Sequence, residues 1–212
     1  DVYRIGGIGT VPLGIVASGV LRAGDTLRFC PGEGIVGEVA SIQYLSQPVE
    51  EACAGQSVAF HCRNVSIKQI LRGSVASLLD GGQPVRHAAS FEVRLRVVEL
   101  QGRIMAGYTP LVDCHTAHVA CRFQQLISRL DAGTGKVLEE NPASLSEGDH
   151  AVVKMVPTKP LCVECYEDFP MLGRIFVRDM RSVVAMGTVQ KVEWVEDPAT
   201  SEAKSPAQGP SK

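Results

Sequence analysis

The stretch FEVRLRVV, residues 91–98, decides the fold. Phe91, Val93, Leu95 and Val97 alternate with Glu92, Arg94 and Arg96. A period of two belongs to a strand with one buried face, whereas a helix would scatter the same apolar groups around its surface. Outward from this run lie further β-rich segments at residues 12–17, 26–30, 34–44, 57–62, 111–121, 150–156, 160–165, 174–177 and 182–195, punctuated by glycine-centred turns. Many short strands with few long helical patterns predict an all-β chain of barrels or sandwiches. One run competes. Phe123, Leu126, Ile127 and Leu130 sit at helical spacing, so residues 122–130 read either as a short helix or as a continued strand.

The chain has 212 residues, 45% of them hydrophobic and 21% charged, which is ordinary globular material with room for two cores. Turn residues at 80–87 predict a linker between a first domain at 1–84 and a second at 85–195. After Trp194 the composition shifts to Pro, Ser and Ala, and residues 196–212 read as a disordered tail. No apolar run reaches the roughly 18 residues of a membrane span, and DVYRIGGIGT lacks the basic start and apolar centre of a signal peptide. A cytoplasmic protein that meets no membrane is the expectation. It fits the 7 cysteines, an odd number in apolar segments, which read as thiols. Lys plus Arg is 21 against 23 for Asp plus Glu, so any RNA contact must come from local clusters rather than from a basic field.

Motifs for chemistry are few. Nothing matches the phosphate-cradling G-x-x-x-x-G-K-[ST] loop, and Gly6-Gly7-Ile8-Gly9 lacks dinucleotide-loop spacing and reads as a turn. Cys114, His115, His118, Cys121, Cys162 and Cys165 carry zinc-type donors. On a strand, however, Cys162 and Cys165 would face opposite ways, so no metal is expected. His118 and Asp113 have no nucleophile on a strained elbow, and no catalytic residue is expected. Trp194 reads as packing between the two domains.

The segments DVYRIGGIGTVPLG, GVLRAGDTLRF, AGQSVAFHCRNVS and RGSVA resemble, in order, the second domain of translation elongation factor 1-alpha. AGYTPLVDCHTAHVACRF, LSEGDHAVVKMVPTKPLCVE and LGRIFVRDMRSVVAMGTV resemble the third domain of that family. The resemblance spans residues 1–195 and implies two antiparallel β-barrels, a translation-factor domain II-like barrel followed by the elongation factor C-terminal barrel. It implies a first barrel that receives the 3′ adenosine and esterified amino acid of aminoacyl-tRNA, with Ile5, Gly7 and Val11 lining the pocket and Gln43 and Ser57 at its polar positions. In the second barrel it implies tRNA-backbone contact by Gly107, Tyr108, Arg178 and Arg181, arginine forks being suited to phosphate oxygens. Arg174, Arg178 and Arg181 read equally as salt-bridging residues on a solvated face.

Departures concentrate in the first barrel. Where the family has a Val-Glu-Met-His-like run, this chain has Ile42-Gln43-Tyr44-Leu45, so an amide replaces the carboxylate. Where the family reads Gly-Asp-Asn-Val-Gly, it has Gly55-Gln56-Ser57-Val58-Ala59, so a hydroxyl replaces the asparagine side chain. The loop RLDAGTGKVLEENPA keeps few of the family's basic residues. Weakened RNA binding is therefore expected. The expected partners are aminoacyl-tRNA and the ribosome. The alternative is a protein-interaction platform for a nucleotide-exchange factor, actin or a ribosome-rescue protein. GTP, magnesium and hydrolysis would belong to a GTPase domain absent from this sequence, whose abrupt start suggests a fragment.

Overall fold

The computed structural model describes residues 1–32, 34–81, 84–180 and 182–195. Arg181 and the tail expected at 196–212 lie outside the described residues. Glycine turns cut the first half into short strands: β1 (Val2–Ile5), β2 (Gly9–Ile15), β3 (Val20–Arg22), β4 (Thr26–Cys30), β5 (Val36–Tyr44), β6 (Gln47–Val49), β7 (Glu51–Cys53), β8 (Ser57–Arg63) and β9 (Val75–Leu78). They hydrogen-bond in the order β1-β2-β8-β5-β4-β9, with β6 on β5 and a separate β3-β7 ribbon. Alternation along each strand sends Val58, Phe60 and Cys62 of β8 inward to meet Leu27, Phe29, Val39 and Ile42. The ribbon adds Ala52 to this core.

The second half contains β10 (Ala88–Val97), β11 (Leu111–Cys114), β12 (Ala117–Leu130), β13 (Val137–Glu140), β14 (His150–Pro157), β15 (Arg174–Asp179) and β16 (Ser182–Trp194). Their order is β11-β15-β16-β10-β14-β12, and an additional β11–β12 pairing closes the ring into a six-strand barrel. Closure leaves these strands no free edge. Phe91, Val93, Leu95 and Val97 point into the barrel with Phe123, Val153, Met155 and Ile175. Each such side chain contributes roughly 1.5–3 kcal/mol by leaving water. No strand pairing joins β1–β9 to β10–β16 among the described residues.

Residues 122–130 are strand, and their helical spacing has a cause. The register against β14 slips between Phe123 and Gln125, which inserts one extra residue. Phe123 opposes Met155 and Leu126 opposes Val153, so two inward positions stand three apart on a bulged strand. Residues 111–121 are a hairpin rather than one strand, since Cys114 opposes Ala117 and His115 turns the chain at φ 45°. Residues 160–165, read as a strand, are irregular and partly buried. Their backbone is satisfied piecemeal: Ala88 N–H donates to Leu161 O, and Glu164 N–H donates to Leu172 O across a single helical turn at Pro170–Gly173. Trp194, expected between the barrels, opposes Ala88 and packs on the second core beneath Arg86, whose guanidinium stands 4.4 Å from its ring centroid.

The barrels meet through the β11–β12 turn and the irregular 160–165 segment. Gly73 approaches Ala117 so closely that a Cβ there would stand 2.9 Å from the Ala117 Cα. No helix among the described residues is long and apolar enough to cross a membrane.

Candidate nucleic-acid interface

Because Val58, Phe60 and Cys62 fill the first core, Ser57, Ala59, His61 and Arg63 of β8 must face outward. Antiparallel register carries this outer face across three neighbours. On β2, Leu13 opposes Ala59 and Ile15 opposes Ser57, which sets Val11 beside His61. On β5, Gln43 opposes Ala59 and Ser41 opposes His61. On β1, Tyr3 opposes Val11 and Ile5 opposes Gly9. Ile5, Val11, Gln43 and Ser57 therefore share one sheet face, although they are dispersed in sequence. Gly7 lies in the β1–β2 turn at φ 78° with open space where a Cβ would stand, so the backbone there is approachable.

The face is apolar and exposed at Tyr3, Ile5, Leu13 and Ile15, while Val11 is buried among them. Beside it opens a cleft of about 550 Å³ lined by Arg4, Gly9, Thr10, His61, Arg63 and Asn64. His61 Nε2 stands 3.2 Å from the position of a Cβ on Gly9, so the imidazole occupies space that any larger residue at 9 would take. Arg63 leans on Glu38 at 3.4 Å. His61 was not among the residues singled out from sequence, yet the alternation Val58, Phe60, Cys62 already implied its outward direction.

In the second barrel, Gly107 sits at φ 93° and its N–H donates to Phe123 O at 2.8 Å. This turn presents Tyr108, whose ring packs on Phe123 at 5.6 Å and whose hydroxyl donates to Asp179 Oδ2 at 2.9 Å. Burial, then the hydrogen bond to the Asp179 carboxylate, push the phenol far above its ordinary range and keep it protonated. Arg178 precedes Asp179 and turns to Asp113, Nη1 to Oδ2 3.5 Å, on the neighbouring strand β11. The same carboxylate is bonded to His118 Nδ1 at 2.6 Å. Gly107, Tyr108 and Arg178 are thus brought together, with Arg178 engaged by an acid that sequence reading had not attached to it. Arg174 leans on Tyr166, donating to its hydroxyl at 3.1 Å.

The zinc-type donors disperse. Cys114 Sγ donates to Leu172 O, Cys121 Sγ to Val119 O and Cys165 Sγ to Gln190 O, while His115 Nε2 lies 3.0 Å from Cys162 O. Among the described residues no three His, Cys, Asp or Glu side chains gather as a metal would require.

Comparison with known proteins follows the same division. Residues 9–77 match the family Elongation factor Tu domain 2, and residues 90–190 match the family GTP-eEF1A C-terminal domain-like. The chain is 46% identical over 196 residues to elongation factor 1-alpha of Mucor circinelloides f. lusitanicus, covering 92% of this chain and 42% of that protein. Against elongation factor 1-alpha of Serendipita indica it is 45% identical over 205 residues, 97% of this chain and 44% of that protein. It therefore spans less than half the length of these relatives. Among solved structures it is similar to sup35 complexed with GDP, with a TM-score of 0.83 and 24% identity over 91% of this chain and 46% of that one, which shows the fold.

Proposed function

The chain belongs to the elongation factor Tu/1-alpha family, with the second and third β-barrel domains of that family, and on this premise we propose that it is the tRNA-binding module of a translation factor delivering aminoacyl-tRNA to the ribosome in the cytoplasm. The observation that carries this reading is the convergence of Ile5, Val11, Gln43 and Ser57 on one exposed face beside a cleft holding Arg4, His61 and Arg63. Apolar side chains at Ile5 and Leu13 suit a base or an amino-acid side chain. Gln43 and Ser57 offer neutral donors and acceptors to a ribose or an ester, and the cleft's guanidinium groups suit the preceding phosphates. Gly107, Tyr108 and Arg178 would meet the RNA backbone further along.

In this reading the chain itself catalyses nothing. In the same reading GTP and magnesium belong to the family's GTPase domain, which is supported by the lack of a phosphate-loop motif in this sequence. The nucleotide switch is assigned to a domain outside this sequence. Filter binding of charged and uncharged tRNA across a salt series tests the proposal. Tighter binding of the charged form, with a shallow salt slope of roughly two to three phosphates, is expected. Equal or absent binding would sink it.

A second reading rests on the same face. Tyr3, Ile5, Leu13 and Ile15 are exposed and apolar, and Arg178 is partly neutralised by Asp113, which suits a protein partner such as an exchange factor, actin or a ribosome-rescue factor. A stoichiometric protein partner captured after ribonuclease treatment favours this alternative.

A further inference from the structure

Two cysteines 132 residues apart face each other where the barrels meet. Cys30 ends β4, and Cys162 lies in the irregular segment after β14. Their sulfurs are 2.9 Å apart, and the side chains are exposed by 4% and 1%. All seven cysteines are thiols. The backbone holds both sulfurs in place. Cys30 is paired with Val75 on β9, and the Cys162 carbonyl is engaged by His115 of the β11–β12 turn. Gly73 and Ala117 bring the two barrels into near-backbone contact nearby. Cys114, Cys121, Cys165 and Cys62 each donate to a backbone carbonyl of their own barrel, at Leu172, Val119, Gln190 and Arg63.

We propose that Cys30 and Cys162 are an oxidative modification site, a reversible disulfide that joins the two barrels and is formed by a hydroperoxide. In the first step the thiolate of one cysteine attacks the outer peroxide oxygen. The O–O bond breaks, a sulfenic acid forms and, with hydrogen peroxide, one water leaves. The second thiol then attacks the sulfenyl sulfur and expels a second water. Overall two thiols lose two electrons and two protons, and the peroxide is reduced to two waters. The product needs the sulfurs to close by about 1 Å, a side-chain movement.

Burial makes the site conditional. The hydrogen bond to Cys30, then loss of water, hold the Cys162 thiol protonated and far above its ordinary range while the barrels are docked. Peroxide reaches it only when the junction opens, and re-docking brings the second thiol into line. Oxidation therefore records opening and then locks the barrels in one relative orientation. This inference stands on the thiol geometry and does not depend on the tRNA reading.

Treatment of the purified protein with hydrogen peroxide, followed by non-reducing peptide mapping, tests it. The expected result is a Cys30–Cys162 cross-linked peptide that dithiothreitol reverses, with free thiols falling from seven to five. Cross-linking should quicken in mildly denaturing urea, and the midpoint of thermal unfolding should rise by ~10 °C for a loop of this length. Cys30→Ala should abolish the cross-linked peptide and the rise in midpoint. Cys53→Ser, at an exposed thiol, should leave both intact. The proposal is overturned if Cys30 and Cys162 both stay alkylatable in oxidised protein, with or without urea. It is also overturned if either goes directly to sulfinic acid with no cross-link.

Discussion

Replacing Asp113 with Asn tests whether Arg178 is withheld from RNA by its own barrel. The Asp113 side chain is 17% exposed and engages both Arg178, at 3.5 Å, and His118, at 2.6 Å. A phosphate bound by the outer edge of the Arg178 guanidinium would lie roughly 6–7 Å from the Asp113 carboxylate, where like charges cost about 0.6 kcal/mol at the dielectric constant of water. Removing the charge should therefore tighten tRNA binding about threefold at low salt. It should also release one guanidinium, steepening the slope of log K against log salt by about 0.9. The cost to folding is modest, since the Arg178 and His118 ends of these pairs are 45% and 43% exposed and such solvent-facing ion pairs contribute about 0–1 kcal/mol each. Fluorescence anisotropy with labelled charged tRNA over a potassium chloride series, alongside Arg178→Ala and the double variant, separates the terms. The reasoning fails if Asp113→Asn leaves slope and affinity unchanged while Arg178→Ala also changes neither. It fails equally if the gain from Asp113→Asn persists undiminished when Arg178 is absent.

Three further outcomes follow from the geometry. Gln43→Glu restores a carboxylate to the exposed face and should strengthen binding of charged tRNA several-fold, because charge-assisted hydrogen bonds are about twice as strong as neutral ones; weaker binding in the same assay would count against a ribose partner at this position. Gly187→Ala should cost about 1–3 kcal/mol in urea unfolding, since the added Cβ would meet Leu95 Cα at 2.9 Å and press on the Arg94 carbonyl, and an unchanged midpoint would refute the close β10–β16 approach. Burial raises the Cys114 and Cys121 thiols to about 12 from 9.0, so the unfolded chain loses protons first as pH rises. The contribution of these two thiols to stability is therefore full below pH 9, is lost between pH 9 and 12, and should fall by roughly 1.4 kcal/mol per thiol at pH 10, so that denaturant titration finds a correspondingly smaller alkaline drop in the double alanine variant.

The strands legible in the sequence are the longer apolar runs, some with near-strict alternation, as in β10, and some without it, as in β2 and β16. β4 and β10 carry their own signal because inward and outward residues are covalent neighbours. The short strands β1, β3, β6, β7, β9 and β13 were not found, since three or four residues hold too few alternations to stand out. The 160–165 segment looked like a strand because it is apolar. Its burial comes from lying against the second barrel and the junction, while its backbone bonds to separate elements. His61 could have been read from β8 alone, but its placement beside Val11 needed the β2–β8 register.

By itself the sequence determined that this chain is β-built and that its ordered motifs match two elongation-factor barrels. These properties are local, set by a period of two, by turn residues and by short motifs. Tertiary structure alone decided that residues 122–130 continue as a bulged strand, that Arg178 leans on Asp113, and that Cys30 meets Cys162. Each of these depends on how distant strands align across a closed sheet or between two barrels. A one-residue shift in that alignment, as at Phe123, changes which side chains meet without altering composition or motif.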